Sequence, residues 1–177
     1  RSNSPTLNDY YNVLRNNWSI GYTAKHDDSE RLLRYYNNQQ KYSGQENGYF
    51  RHQNKVQVFE YQDGLKNTHG QLTWGGEWRK EEVNSSKHPS VHDGTTKAVF
   101  LQQQYRLNPL SSLTVGLRYN NNDTYGNHWL PKIAYHHQAT TKIGYFANWG
   151  KVFRAPNFDD LYADYGWGMS GNPNLKA

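Results

Sequence analysis

The chain of 177 residues contains no cysteine. That excludes disulfides, thiolate metal centres and cysteine nucleophiles, and it leaves the cytosol and a bacterial envelope equally open as compartments. Long hydrophobic runs are missing too. The longest, Ala98 to Leu101, falls far short of the roughly 20 apolar residues that a membrane-crossing helix requires. If this chain meets a membrane, it does so as strands. Apolar residues are scarce as a class: the hydrophobic share is 34% even with 15 Tyr counted in it, and exchanging those for the 15 Gly leaves it unchanged. A soluble domain carries roughly 45–50% by the latter tally, so a large dry core is not expected. The formal net charge is +5, but the basic residues are scattered singly among Asp and Glu. A nucleic-acid or lipid-surface patch therefore has no local support, and no nucleic-acid partner is expected.

Aromatic residues are abundant instead. With 6 Trp, 15 Tyr and an aromatic share of 15%, the chain is too rich in rings to be disordered. The rings recur with period two. From Leu14, the even positions read Leu14, Asn16, Trp18, Ile20, Tyr22, Ala24, and the odd ones Arg15, Asn17, Ser19, Gly21, Thr23, Lys25. Leu72, Trp74 and Trp78 alternate with Gln71, Thr73 and Glu77, and Leu113, Val115, Leu117, Tyr119 alternate with Thr114, Gly116, Arg118, Asn120. These are strands with one apolar and one polar face. A longer strand is expected over 140–153, where Ile143, Tyr145, Ala147, Trp149 and Phe153 share the apolar face. Weaker patterns over 30–42, 49–61, 96–107 and 127–137 bring the expectation to eight strands.

Short connections alternate with longer ones. Asp27-Asp28-Ser29, Gln62-Asp63-Gly64, Asn108-Pro109 and Gln138-Ala139-Thr140 are short, and Asp-Gly and Asn-Pro are turn dipeptides. Between them lie 43–48, the long polar stretch 80–95, 121–126, and everything beyond Arg154. This reads as an up-and-down antiparallel meander with two unlike ends, the organisation of an outer-membrane barrel with short periplasmic turns and longer extracellular loops. A soluble barrel or sandwich alternates as well, because one of its faces is buried. Strand length and a polar face rich in Arg, Lys, Asn, Gln and Thr favour the membrane barrel.

The end of the chain carries a family resemblance. Trp149 to Tyr162 includes Phe153-Arg154-Ala155-Pro156 with a trailing Leu161-Tyr162, and Gly171 is followed by Asn172-Pro173-Asn174-Leu175. The two segments resemble the Phe-Arg-Ala-Pro and Asn-Pro-Asn-Leu boxes of TonB-dependent outer-membrane receptors. The stretch from Trp129 to Ile133 and that from Thr141 to Trp149 also resemble the strand pair that leads into these boxes. The resemblance implies an all-β, antiparallel, transmembrane barrel of about 22 strands with a plug in its lumen. About eight of those strands would lie here, making the whole of 1–177 an internal piece of the barrel domain, without plug, TonB box or signal peptide. It further implies a transporter rather than an enzyme, in the outer membrane of a Gram-negative bacterium. The expected partners are a metal chelate (most simply a ferric siderophore, otherwise cobalamin or haem), TonB through the plug, and outer-membrane lipid. No cofactor and no resident metal are expected. A complete eight-stranded structural or adhesive barrel is the alternative.

Site expectations follow from chemistry. Pro156 biases Ala155 away from helix, so the strand should end there. Arg154 falls on the polar, lumen-side register, where its guanidinium could clamp plug carboxylates or carbonyls. Asp159 and Asp160 could cap a short helical turn or pair with Arg154. Turn-forming residues dominate both boxes, so their role is read as architectural. Ligand contact is expected instead from Tyr162, Tyr165, Trp167 and Met169, which offer stacking faces and an adaptable thioether. His88 and His92 lie four apart in an expected loop, and His128 heads the next strand; without a helix, the spacing does not make a metal site. No His falls between the boxes, which weakens a haem cargo, and no catalytic constellation is visible.

Overall fold

A computed structural model describes residues 9–45, 49–87, 90–164 and 170–176. Eight strands run in chain order, each antiparallel to the next: β1 (Tyr10–His26), β2 (Ser29–Gln45), β3 (Tyr49–Asn67), β4 (Gly70–Ser85), β5 (His92–Asn108), β6 (Ser111–Asn122), β7 (Gly126–Gln138) and β8 (Gly144–Gly150). The expected up-and-down meander is the observed one. One short helix, α1 (Phe158–Tyr162), follows.

The register carries the alternation across the whole sheet. Ile20, Tyr35, Phe59 and Trp78 are successive cross-strand partners, as are Val99, Tyr119 and Trp129. This apolar face lies open: Ile20 is 68% exposed and Trp149 64%. A soluble sandwich would cover such a face against a second layer. No second layer covers it among the described residues. The opposite, lumen face carries a band of paired charge. Arg34 donates to Glu60 (2.6 Å), Arg118 to Glu77 (3.2 Å), and Arg79 to Glu81. Each of these three arginines has a carboxylate within hydrogen-bond reach.

Several expectations are corrected. Asp63-Gly64 is not a turn, because β3 and β4 stay paired down to Asn67 and Gly70. Asp63 is held mid-strand by Arg31, whose Nε and Nη2 both donate to it (3.1 and 3.0 Å). The turn falls instead at Thr68-His69, where the Asn67 side chain accepts from the His69 N–H (3.0 Å) and Gly70 takes a φ of 144°. The polar stretch 80–95 is mostly strand, and only 86–91 separates β4 from β5.

The strand expected over 140–153 is shorter than its neighbours, at 7 residues. Residues 139–143 form a turn in which Ala139 and Thr140 both donate to the Ile143 carbonyl. At the other end the reason is Pro131. Its carbonyl accepts from the Lys151 N–H (3.0 Å), but proline has no N–H to return, so the ladder stops. Finally, among the described residues β1 pairs with β2 alone and β8 with β7 alone. The sheet is open, and the closed eight-stranded barrel is not what this chain forms.

Candidate functional site

Once off the ladder, the chain turns over the lumen face near the rim where β4 ends and β6 turns into β7. Asn157 caps α1: its side chain accepts from the Asp160 N–H (2.8 Å) while the Asp160 carboxylate accepts from the Asn157 N–H (3.3 Å). This reciprocal pair satisfies two otherwise orphaned donors. The cap is thus Asn157, with Asp160 as its partner, rather than the aspartates themselves. Leu161 and Ala163 are buried at 4% and 1% exposure and anchor the turn. The Asp164 N–H then bonds the Lys87 carbonyl (2.7 Å), tying the segment to the loop after β4.

The two motif boxes meet here. The Asn172 N–H donates to the Asp160 carbonyl (2.9 Å) and the Gly171 N–H to that of Ala163 (2.7 Å). Gly171 packs directly on the helix backbone. A Cβ there would lie 2.5 Å from the Leu161 carbonyl carbon. Pro173 and Asn174 form the turn that follows, with the Asn174 N–H bonded to the Asn172 side chain (3.0 Å) and Leu175 N–H to the Asn172 carbonyl (3.2 Å).

Ring stacking holds this strap against the wall. His92 lies flat on Tyr162 (centroids 3.7 Å apart, planes 5° apart), and His128 on Phe153 (3.9 Å, 20°). By the register of β8, Phe153 would face lipid. Because the ladder has already ended, it turns to the lumen side instead. For the same reason the register does not carry to Arg154, which is exposed and has no ion pair among the described residues. Among the described residues it pairs with neither Asp159 nor Asp160.

Between strap and wall lies a cleft of about 210 Å³, lined among others by Asn54, Glu81, Asp93, Asp123 and Tyr125. Tyr125 Oη is buried there without a hydrogen-bond partner. Burial pushes this phenol above its ordinary 10.0, and the neighbouring Tyr162 adds to the effect. Asp123 is occupied by the Thr95 N–H (2.7 Å). No group of three metal-ligating side chains gathers among the described residues. His92 stacks, and His128 faces the Tyr125 carbonyl (3.0 Å).

A second hollow of about 240 Å³ opens beside the strap. Tyr11 lies between Tyr42 (6.1 Å) and Phe50 (5.9 Å), and Tyr42 adjoins His52 (6.0 Å). By register, all four sit on the lumen face of β1, β2 and β3. Sequence reasoning missed this cluster. A signal existed: these are rings at positions where the alternation calls for polar residues. Of the ligand candidates, Tyr162 is in place but occupied by His92, whereas Tyr165, Trp167 and Met169 lie outside the described residues, as does His88.

An open antiparallel sheet with one bare apolar face, one charge-paired face and aromatic rings at one mouth is the wall of an outer-membrane β-barrel. All of the chain, residues 1–177, matches the family described as TonB dependent receptor-like, beta-barrel, and the chain belongs to that family. It is a family of receptors and transporters of the outer membrane, not of enzymes. The vitamin B12 transporter BtuB of Photobacterium profundum is 33% identical over 67% of this chain and 18% of its own length. The ferric enterobactin receptor of Pseudomonas aeruginosa is 26% identical over 60% of this chain and 19% of its own. In fold, the siderophore receptor PirA from Pseudomonas aeruginosa matches 96% of this chain with 35% of its own, at a TM-score of 0.81 and 18% identity. A mutant of the ferric enterobactin receptor PfeA from the same organism gives 0.76 over 85% of this chain and 27% of its own, again at 18% identity. This chain thus spans about a third or less of the length of each of these proteins.

Proposed function

We propose that these strands are one part of the barrel domain of a receptor that imports a metal chelate, a ferric siderophore first, with a plug and TonB as its further partners. The observation that carries this reading is the ring-lined mouth on the lumen side, Tyr11, Tyr42, Phe50 and His52. Flat, amphipathic faces of this kind suit the aromatic chelating arms of a catecholate. The second reading is cobalamin, favoured by the identity to the Photobacterium profundum transporter. Haem is disfavoured because no histidine stands between the two boxes. The boxes themselves are architectural: Phe153 and Ala155-Pro156 lead the chain off the sheet, and Asn172 to Leu175 bring it back onto α1. Ligand contact from Tyr162 would require it to share its ring with His92, while the candidates Tyr165, Trp167 and Met169 follow it in sequence.

The test is quenching of tryptophan fluorescence in the full-length receptor by a ferric tris-catecholate and, separately, by cyanocobalamin. Saturable quenching by the iron chelate is expected, and Tyr42→Ala should weaken it by about 1–3 kcal/mol. Saturable binding of cyanocobalamin alone would overturn the siderophore reading in favour of the second.

A further inference from the structure

The lumen face is not charge-paired throughout. Arg34 and Arg79, on β2 and β4, hold carboxylates. Lys132 on β7 and Lys151, just off the end of β8, have no ion pair among the described residues. Both line a hollow of about 580 Å³ between β5 to β8 and the first residues of the strap, together with Arg118. No Asp or Glu lines it among the described residues. Arg118 is already engaged, with Nη2 donating to Glu77 (3.2 Å) and Nε to the Asn120 side chain (2.7 Å), so the two lysines supply the unspent charge. The stem of Lys132 is seated. Its cross-strand partners are Gly116 and Gly150, and a Cβ added at Gly116 would lie 2.8 Å from Lys132 Cε, so bare backbone lets the stem lie flat across β6. Rings frame the same space. Phe153 is held by its stack on His128 (3.9 Å), and Phe100 by a seat on Gly75, where an added Cβ would fall 2.8 Å from its Cζ.

Two phenyl faces, two ammonium groups and no acid complement one kind of guest, a flat ring that carries negative charge. We infer that this hollow is a second, deeper binding site for the cargo, selecting chelates whose ring arms are anionic, as catecholates are, over neutral ones. The size fits. Small-molecule sites enclose about 300–1,000 Å³, mostly apolar, with a few placed polar groups. An acidic side chain of the plug would satisfy the lysines but leave the space between the rings unfilled. The level fits as well. The hollow extends up to Asn120, which by register stands level with Ala98, Glu77 and Glu60, below His52 at the ring-lined mouth. The inference rests on the chelate-import reading proposed above, and adds to it the charge of the cargo and a second station on the wall.

The experiment uses the full-length receptor in detergent, treated with an amine-acetylating reagent and read by mass spectrometry, alone, with a ferric tris-catecholate, or with a neutral ferric tris-hydroxamate. At about ten times its dissociation constant, the tris-catecholate should slow acetylation of Lys132 and Lys151 about tenfold. The hydroxamate should not, and Lys97, on the outward face beside Trp78, should react alike throughout. Changing Lys132 and Lys151 together to Gln should weaken tris-catecholate binding at least about tenfold, with heat-modifiable migration showing that the variant is folded. Unslowed acetylation, while the same chelate still quenches tryptophan fluorescence, overturns the inference and leaves the import reading standing. Equal protection by both chelates removes the charge selection and overturns it too. Lysines already unreactive before any chelate is added would show that the plug covers the hollow, which again overturns it. If neither the tris-catecholate nor cyanocobalamin quenches at all, the import reading itself fails and takes the inference with it.

Discussion

Gly171 has room for nothing beyond hydrogen, since an added Cβ would also lie 2.6 Å from the Tyr162 nitrogen. Backbone atoms on both sides leave no side chain to swing away, so Gly171→Ala should cost about 1–3 kcal/mol and loosen the strap. Limited proteolysis should show faster cleavage near α1 in the full-length protein; an unchanged rate would mean that the boxes are not joined as described. Tyr125→Phe should be neutral or slightly stabilising, because the lost hydroxyl is buried and unpaired. The sign with pH follows from the raised folded-state pKa. The phenol's contribution is fully present below its ordinary value of 10.0 and is lost as pH rises from there through the folded-state value. Alkaline unfolding should therefore begin at higher pH in the Phe variant. The two segments of the boxes stand out in the sequence by residue identity. Their junction does not, because a close backbone approach at Gly171 leaves no trace in residue type beyond the glycine itself.

The elements show which signals can be trusted. Strands were readable where one apolar and one polar face impose a period of two, as in β1 and β6. The signal was weaker in β2 and β3, where rings such as Tyr42 and Phe50 stand on the polar face. Strand ends were less readable. Asp63-Gly64 has turn chemistry, yet the ion pair to Arg31 and continued pairing with β4 override it. Two glycines give the test. Gly70→Ala forces a side chain into a φ of 144° with its Cβ 2.0 Å from the Gln104 carbonyl oxygen, whereas at Gly64 the nearest atom is the mobile end of Gln71 at 3.2 Å. The first should cost about 2 kcal/mol or more and the second less than about 1 kcal/mol. Urea unfolding of the two variants in the same lipid should show that order, and the reverse order would restore the Asp-Gly turn. The end of β8 had a readable sign in Pro131, but it acts across strands, and the pairing partner of a residue is not given by its neighbours in sequence.

On the scale of the molecule, the alternation of connections sets its orientation. Ser86→Cys and Gln45→Cys, both exposed on one rim, should react on whole cells with a thiol reagent that cannot cross the membrane. Thr68→Cys and Ala139→Cys, exposed on the other, should not. The opposite labelling would invert the wall. The strands also outrun the bilayer. β3 has 19 residues, which at about 3.4 Å each and a tilt of about 40° rise roughly 50 Å, twice the apolar band of about 25 Å. About half of β3, the longest strand, therefore stands as a palisade with water on both sides. Hydrocarbon, which makes a broken backbone hydrogen bond so costly, gives no help there. Cohesion falls to polar side-chain rungs such as Asn122 to Thr96 (2.9 Å) and Asn121 to Asn127 (2.7 Å). A single strand should consequently behave as two materials, with amide protons locked for days within the membrane and exchanging far sooner a few residues above it.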